Sequence, residues 1–226
     1  AKMMMSHGIE VSGVNDEEGK TIESLRDIGV QILFAKDGTL QIPDADLYVY
    51  SDAWIYRGPE IIKAAKKTDK PTLSYFEALG ELAKEYKVIA ISGTHGKTTT
   101  TAMVAEIMIE AGLDPTVVVG SFVKKFGSNF RKGESKYLVV EADEYNRHFL
   151  NFHPFIGVVT NIETDHLDVY KDLEDIQNAF GQFESQSEKV IKEYTEYLDK
   201  VPKLKVPGLH NRLDAAAAYA VGISLD

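Results

Sequence analysis

Between Ile89 and Thr101 the chain reads Ile-Ala-Ile-Ser-Gly-Thr-His-Gly-Lys-Thr-Thr-Thr-Thr. An apolar run suited to a buried strand passes into a turn of small residues, and a helix begins at the lysine. Such a junction lets backbone N–H groups converge on a phosphate, and the helix N-terminus adds partial positive charge. Gly93, Thr94, His95, Gly96, Lys97, Thr98 and Thr99 are therefore candidates for a polyphosphate loop. In that role Lys97 would reach the terminal phosphates of ATP, and the Thr98 hydroxyl would ligate Mg²⁺. The strict pattern G-x-x-x-x-G-K-[ST] fails, because Ile91 stands where its first glycine belongs. The loop is a shorter form, G-T-x-G-K-T-T. An ordinary strand-to-helix turn rich in small residues is the competing reading.

Two further stretches end apolar runs with groups able to hold a cation. Residues 137–145 carry Glu141, Asp143 and Glu144 at the carboxyl end of a continuous apolar run, the place where open α/β sheets bind ligands. Mg²⁺ takes hard oxygen ligands, usually one or two carboxylates beside phosphate oxygens. Acids this closely spaced also suit a solvated loop. Residues 160–168 follow another apolar run and contain His166 between Asp165 and Asp168. A lone histidine among aspartates is commonly a surface feature.

The elements that must position these groups alternate between strand and helix. Apolar runs predict strands at 9–12, 30–34, 47–50, 89–92, 117–119, 137–141 and 156–160. Amphipathic stretches predict helices at about 16–28, 59–67, 75–86, 97–111, 173–183 and 211–221, with Gly29 and Gly112 as stop signals. Several of the strands are continuous Val/Ile runs, as expected of strands buried on both faces. The alternation predicts an α/β fold with parallel sheets. A domain break near Tyr86 gives two expected domains, 1–86 without a phosphate loop and 87–226 with one. Residues 185–204 are polar and rich in Lys and Glu, open to reading as a helix, a linker, or two pieces joined across missing residues. Residues 1–7 read as a helix end with no strand before it, which suggests that the sequence starts inside a domain.

Bulk properties exclude some classes. The chain has 226 residues and a formal charge of −10, against a general nucleic-acid surface, which needs a basic footprint. No apolar run approaches the roughly 18 residues of a membrane span. The absence of cysteine removes disulfides and thiolate metal sites and fits a reducing, cytoplasmic setting.

The loop at 93–99, with a histidine before its second glycine, resembles the ATP loop of the Mur ligase family, in particular its alanine-adding branch. Glu141-Ala142-Asp143-Glu144 resembles the family's E-A-D-E motif, and residues 160–168 its T-N-[IV]-x-x-D-H-x-D stretch. The resemblance implies a Rossmann-like N-terminal domain followed by a P-loop-type ATPase central domain with a mostly parallel sheet. It implies catalytic roles for Lys97, Glu141 and His166. Thr98 and Glu141 would bind one Mg²⁺, Glu141 and His166 a second, with Asp143 and Glu144 outside the ligand set. Residues 207–215 resemble P-G-x-H-N-x-x-N-A, which implies that Asn211 contacts adenine; Asp214 stands where the second asparagine belongs. Weaker similarity at 11–13 and 45–51 implies a UDP-sugar site using Asn15 or Asp16 and Ser51. The implied activity joins L-alanine to UDP-N-acetylmuramate through an acyl phosphate. Residues 172–188 lack the lysine that several sibling branches carry there. Glu144-Tyr145 is also similar to the sibling that recycles murein tripeptide, and folate-type glutamate ligases share the core. A nucleotide-binding module without ligase activity is the alternative from another class. The family's third domain, which binds the amino acid, is expected to be absent from this sequence.

Overall fold

The structure is a computed structural model that describes residues 1–34 and 42–225. The chain divides into two compact units, Ala1–Ala78 and Leu79–Asp226. The first contains α1 (Lys2–Ser6), β1 (Ser12–Asn15), α2 (Lys20–Arg26), β2 (Gln31–Phe34), β3 (Tyr48–Tyr50), α3 (Ala53–Arg57), α4 (Pro59–Lys66) and β4 (Thr72–Ser74). Helix α5 (Tyr75–Ala83) crosses the division. Strands β1 and β2 pair in parallel, as do β3 and β4, so each pair is a strand–helix–strand unit.

The first expected strand, 9–12, is displaced to Ser12–Asn15. Its partner explains the shift. Helix α2 is followed by Gly29 at φ +92° and β2 begins only at Gln31, so the parallel register sets Ser12 opposite Gln31 and Asn15 opposite Phe34. Ile9, apolar but unpaired, is left exposed. Helix α2 likewise starts later than expected, at Lys20, after an extended Gly19.

The second unit adds β5 (Lys87–Ser92), α6 (Lys97–Glu110), β6 (Thr116–Val123), β7 (Ser128–Arg131), β8 (Tyr137–Glu141), β9 (Ile156–Val159), α7 (Leu173–Ser185), β10 (Lys189–Ile191) and α8 (Leu209–Gly222). Its strands form one six-stranded sheet in the order β10-β9-β5-β8-β6-β7. All neighbours are parallel except the β6–β7 hairpin. Strand alternation divides the core. Ile89, Ile91, Val117, Val139, Ile156 and Val158 pack with Val104, Met108 and the buried alanines of α8. On the other face, Phe183 of α7 lies against Gly157 of β9, and Phe149 meets Phe180 edge-on and Phe183 in a stack. Helix α6 opens on Lys-Thr-Thr-Thr-Thr, a poor helical start because threonine is β-branched. Burial of Thr100, Thr101, Val104 and Ala105 holds it, and the Thr101 hydroxyl donates to the Lys97 carbonyl at 2.7 Å.

The strand order decides where a ligand can sit. The chain leaves β5 through α6 and returns at β6, beyond β8, whereas β9 lies on the other side of β5. The carboxyl end of β5 is therefore a topological switch point, where helices leave in opposite directions and open a crevice. Among the described residues no helix is long and apolar enough to cross a membrane.

Candidate functional site: a phosphate loop at the sheet's switch point

Strand β5 delivers Gly93 to the crevice, β8 ends on Glu141, and β9 ends one residue before Thr160. Two glycines shape the loop. Gly93 has φ +134° and a Cβ there would lie 2.0 Å from Thr160 Oγ1; Gly96 has φ +83° and a Cβ would meet Asp214 Oδ1 at 2.4 Å. Both positions exclude a side chain sterically as well as conformationally. Thr94, His95, Gly96, Lys97, Thr98, Thr99 and Glu141 line an open cleft of ≈ 340 Å³. A second groove of ≈ 360 Å³ lies at the far ends of α6 and α8, lined by Ile107, Met108, Leu113, Tyr219 and their apolar neighbours. It has no group suited to phosphate.

The side chains singled out in the sequence converge. The Lys97 ammonium donates to the Gly93 carbonyl at 2.7 Å and to Glu144 Oε1 at 3.0 Å, and lies 2.8 Å from Glu144 Oε2. His166 Nε2 is 3.3 Å from the same Glu144 carboxylate. The Thr98 hydroxyl shares its proton with Glu141, 2.9 and 3.0 Å from its two oxygens, and the Gly120 N–H donates to Glu141 Oε2 at 2.7 Å. Glu144, placed outside the ligand set by the sequence reading, is thus the hub: it is 2% exposed and joins the lysine to the histidine. His166 sits in the left-handed region at φ +55°, a conformation costing of order 1–3 kcal/mol that persists where surroundings enforce it. Here the Asp165 carboxylate accepts from the His166 N–H at 2.7 Å, and Tyr145 meets the ring edge-on while its hydroxyl donates to Asp168. Tyr170 donates to the Glu144 carbonyl, and burial raises its pKa to about 12. For Asp143, burial opposes ionisation, but the neighbouring His148 ring, with Nδ1 3.9 Å away, the hydrogen bond from the Tyr145 N–H and the Lys97 charge hold its pKa below the ordinary value.

The remaining candidates are placed less directly. The Thr94 hydroxyl accepts from the Glu163 N–H at 3.0 Å, and the exposed His95 ring is 3.9 Å from Glu163. Asn211, in the first turn of α8, donates to the Pro207 carbonyl at 2.6 Å. One turn on, Asp214 is buried behind Gly96. Burial raises its pKa against the opposing pull of the Thr100 hydroxyl and the His210 charge. Its raised folded-state value means that the fold holds a proton there more tightly than the unfolded chain. Its stabilising contribution is complete below the unfolded value near 3.8 and is lost as pH rises through the folded one. Asp214→Asn is therefore expected to raise the melting temperature more at pH 7.5 than at pH 4.5, measured by calorimetry on both proteins; an equal gain at both would remove burial as the cause. In the first unit, Asn15 ends β1 and Ser51 follows β3. Arg57, which the sequence reading missed, bridges to Asp16 at 2.9 Å and Glu17 at 3.1 Å, drawing the end of β1 towards α3.

The residues also admit Mg²⁺. Among the described residues no group of three or more His, Cys, Asp or Glu side chains is arranged to hold a metal ion. The adjoining Thr98 hydroxyl and Glu141 carboxylate nonetheless supply the hard oxygens that Mg²⁺ accepts when phosphate and water complete its shell.

Fold and site together define an α/β protein with a phosphate-loop-type strand–turn–helix at the switch point of a mostly parallel sheet. Residues 91–205 match the Mur ligase middle domain and residues 1–87 the Mur ligase family catalytic domain. The chain belongs to the Mur ligase family. It is 35% identical over 275 residues to a UDP-N-acetylmuramate–L-alanine ligase of Clostridium botulinum, covering 100% of this chain and 60% of that protein. Its fold is similar to the UDP-N-acetylmuramate–alanine ligase of Thermotoga maritima (TM-score 0.82, 29% identity, 100% of this chain and 61% of that one). It is also similar to the UDP-N-acetylmuramate:L-alanyl-γ-D-glutamyl-meso-diaminopimelate ligase of Neisseria meningitides (TM-score 0.84, 25% identity, 98% and 88%). The chain spans about 60% of the length of the curated botulinum relative.

Proposed function

We propose that this chain binds ATP at the loop of residues 93–99 and UDP-N-acetylmuramate in its first unit, and serves the ATP-dependent attachment of L-alanine in peptidoglycan precursor synthesis. The observation that carries this reading is the meeting of Lys97, Glu144 and His166, beside the Thr98–Glu141 pair, at the ends of three adjoining strands. In the reaction a substrate carboxylate oxygen attacks the γ-phosphorus, the bond to the β,γ-bridging oxygen breaks, and ADP leaves. The amine nitrogen then attacks the acyl carbon, loses a proton, and displaces phosphate. Lys97 holds the γ-phosphate and offsets the charge that builds on its oxygens. Mg²⁺, held by Thr98 and Glu141, would supply further neutralisation of phosphate charge, with His166 at a second position. Asn211 faces the adenine, and Asn15, Asp16 and Ser51 the UDP portion. The work takes place in the cytoplasm, where ATP is available.

A second reading, a ligase for the murein tripeptide, draws on the similarity to the Neisseria enzyme. Phosphate release from ATP with UDP-N-acetylmuramate, measured on a protein that carries all three domains of the family, with L-alanine, with tripeptide and without amine, separates the readings. The expected result is release dependent on L-alanine; dependence on tripeptide transfers the assignment. ADP binding without any amine-dependent release leaves only a binding module.

A further inference from the structure

The phosphate loop is held by more than its own strand and helix, because its middle is fastened to the segment that follows β9. The Thr94 N–H donates to the Asn161 carbonyl at 3.1 Å. The His95 N–H donates to Asn161 Oδ1 at 2.9 Å, and Asn161 Nδ2 donates back to the His95 carbonyl at 3.2 Å. That carbonyl lies 2.6 Å from the Thr160 hydroxyl, which is also 3.2 Å from the Ser92 carbonyl. One hydroxyl carries one proton, and the shorter contact is to His95. The Asn161 carboxamide thus holds the backbone N–H and C=O of His95 together, one acceptor and one donor against two successive peptide groups.

This pairing has a consequence for anion recognition. In a phosphate loop the successive backbone N–H groups face the anion. Here the N–H groups of Thr94 and His95 are already spent on Asn161. Helix α6 starts at Lys97 with no side-chain cap on Gly96, and the first turn of a helix has no intrahelical acceptors for its N–H groups. The donors left for phosphate are those of residues 96–99. Their direction is set by the peptide just before them, the one Asn161 grips.

We propose that Asn161 is a positioning residue for nucleotide binding, whose carboxamide fixes the His95 peptide and so aims the N–H groups of residues 96–99 at the phosphates. The proposal rests on the ATP reading above and adds a part for the tail of β9, which makes the short loop rigid by lending it a side chain from another strand.

Hydrogen exchange and ADP calorimetry on this chain test it together. In Asn161→Ala the His95 amide loses its acceptor, whereas the Thr94 amide keeps the Asn161 backbone carbonyl. Exchange at His95 is expected to accelerate while Thr94 and the β5 amides stay protected, and the ADP Kd to rise about tenfold, the effect of losing roughly one net hydrogen bond's worth of alignment. Asn161→Asp keeps the acceptor but cannot donate while ionised. Its His95 amide stays protected while its ADP affinity falls, because the carboxylate accepts from the His95 N–H but offers no donor to the His95 carbonyl. A generally loosened fold would not weaken ADP binding while leaving the His95 amide protected. Wild-type ADP affinity in both variants overturns the proposal, as does loss of protection at the β5 amides in either of them. A wild-type chain that fails to bind ADP removes instead the ATP reading beneath it.

Discussion

In a protein that carries all three domains of the family, Lys97→Ala is expected to reduce ATP-dependent phosphate release by about 10²–10³ or more, the usual effect of removing one preorganised charge from a transition state. It is also expected to destabilise the fold, and the two effects have separate causes. Lys97 is mostly buried and its ammonium lies within 3.0 Å of both oxygens of Glu144, which is itself 3% exposed at the side chain. Removing one partner of such a pair leaves a charge in a poorly solvated place, at a cost of about 3–5 kcal/mol, reduced here because His166 also faces Glu144. Adding Glu144→Ala to Lys97→Ala removes the orphaned charge. The double variant should therefore recover part of the lost stability and none of the phosphate release. Denaturation midpoints of the wild type, both single variants and the double variant give the coupling directly. Phosphate release at the wild-type rate in Lys97→Ala would end the assignment of this loop to ATP.

The divided outcome mirrors what the sequence could and could not tell. The phosphate loop was legible because strand, turn and helix are contiguous there: the apolar residues 89–92, two glycines and a lysine sit in an order that needs no knowledge of the rest of the chain. The expected strand 137–141 and helix start at 97 agree with β8 and α6 for the same reason. The elements that the sequence did not disclose are those fixed by a distant partner. Strand β1 takes its register from β2, and β10 is three residues of mixed character that pair only because β9 offers an edge. Strand β7 is antiparallel, with a register shift between Val118 and Val123 of its neighbour; its Ser-Asn-Phe-Arg carries no buried apolar run. The site divides in the same way. Glu141 ends a strand, so its position could be anticipated. Whether Asp143 or Glu144 faces the lysine depends on the turn after β8, where Asn146 and Arg147 adopt φ of +49° and +58°, conformations that no periodicity predicts. Asn161 likewise could not be paired with His95 from sequence alone, because the match is made across two strands.

Glu144→Gln is expected to separate affinity from turnover. Glu144 holds Lys97 and His166 in register, but its charge also competes with any phosphate for the Lys97 ammonium and opposes the approach of a polyanion. Glutamine keeps the shape and one acceptor while removing the charge. ADP should bind roughly tenfold more tightly, corresponding to the relief of about 1.4 kcal/mol of like-charge repulsion and competition. Phosphate release at saturating ATP should fall, because the amide anchors neither the ammonium nor the imidazole as a carboxylate does. The result is a lower KM for ATP with a lower kcat, a combination that loss of folded protein does not produce. Calorimetry with ADP and steady-state phosphate release on the same preparation measure both. Weaker ADP binding in Glu144→Gln would show instead that the carboxylate's hold on Lys97 assists the nucleotide rather than competing with it, and that the ion pair is part of the binding geometry from the outset.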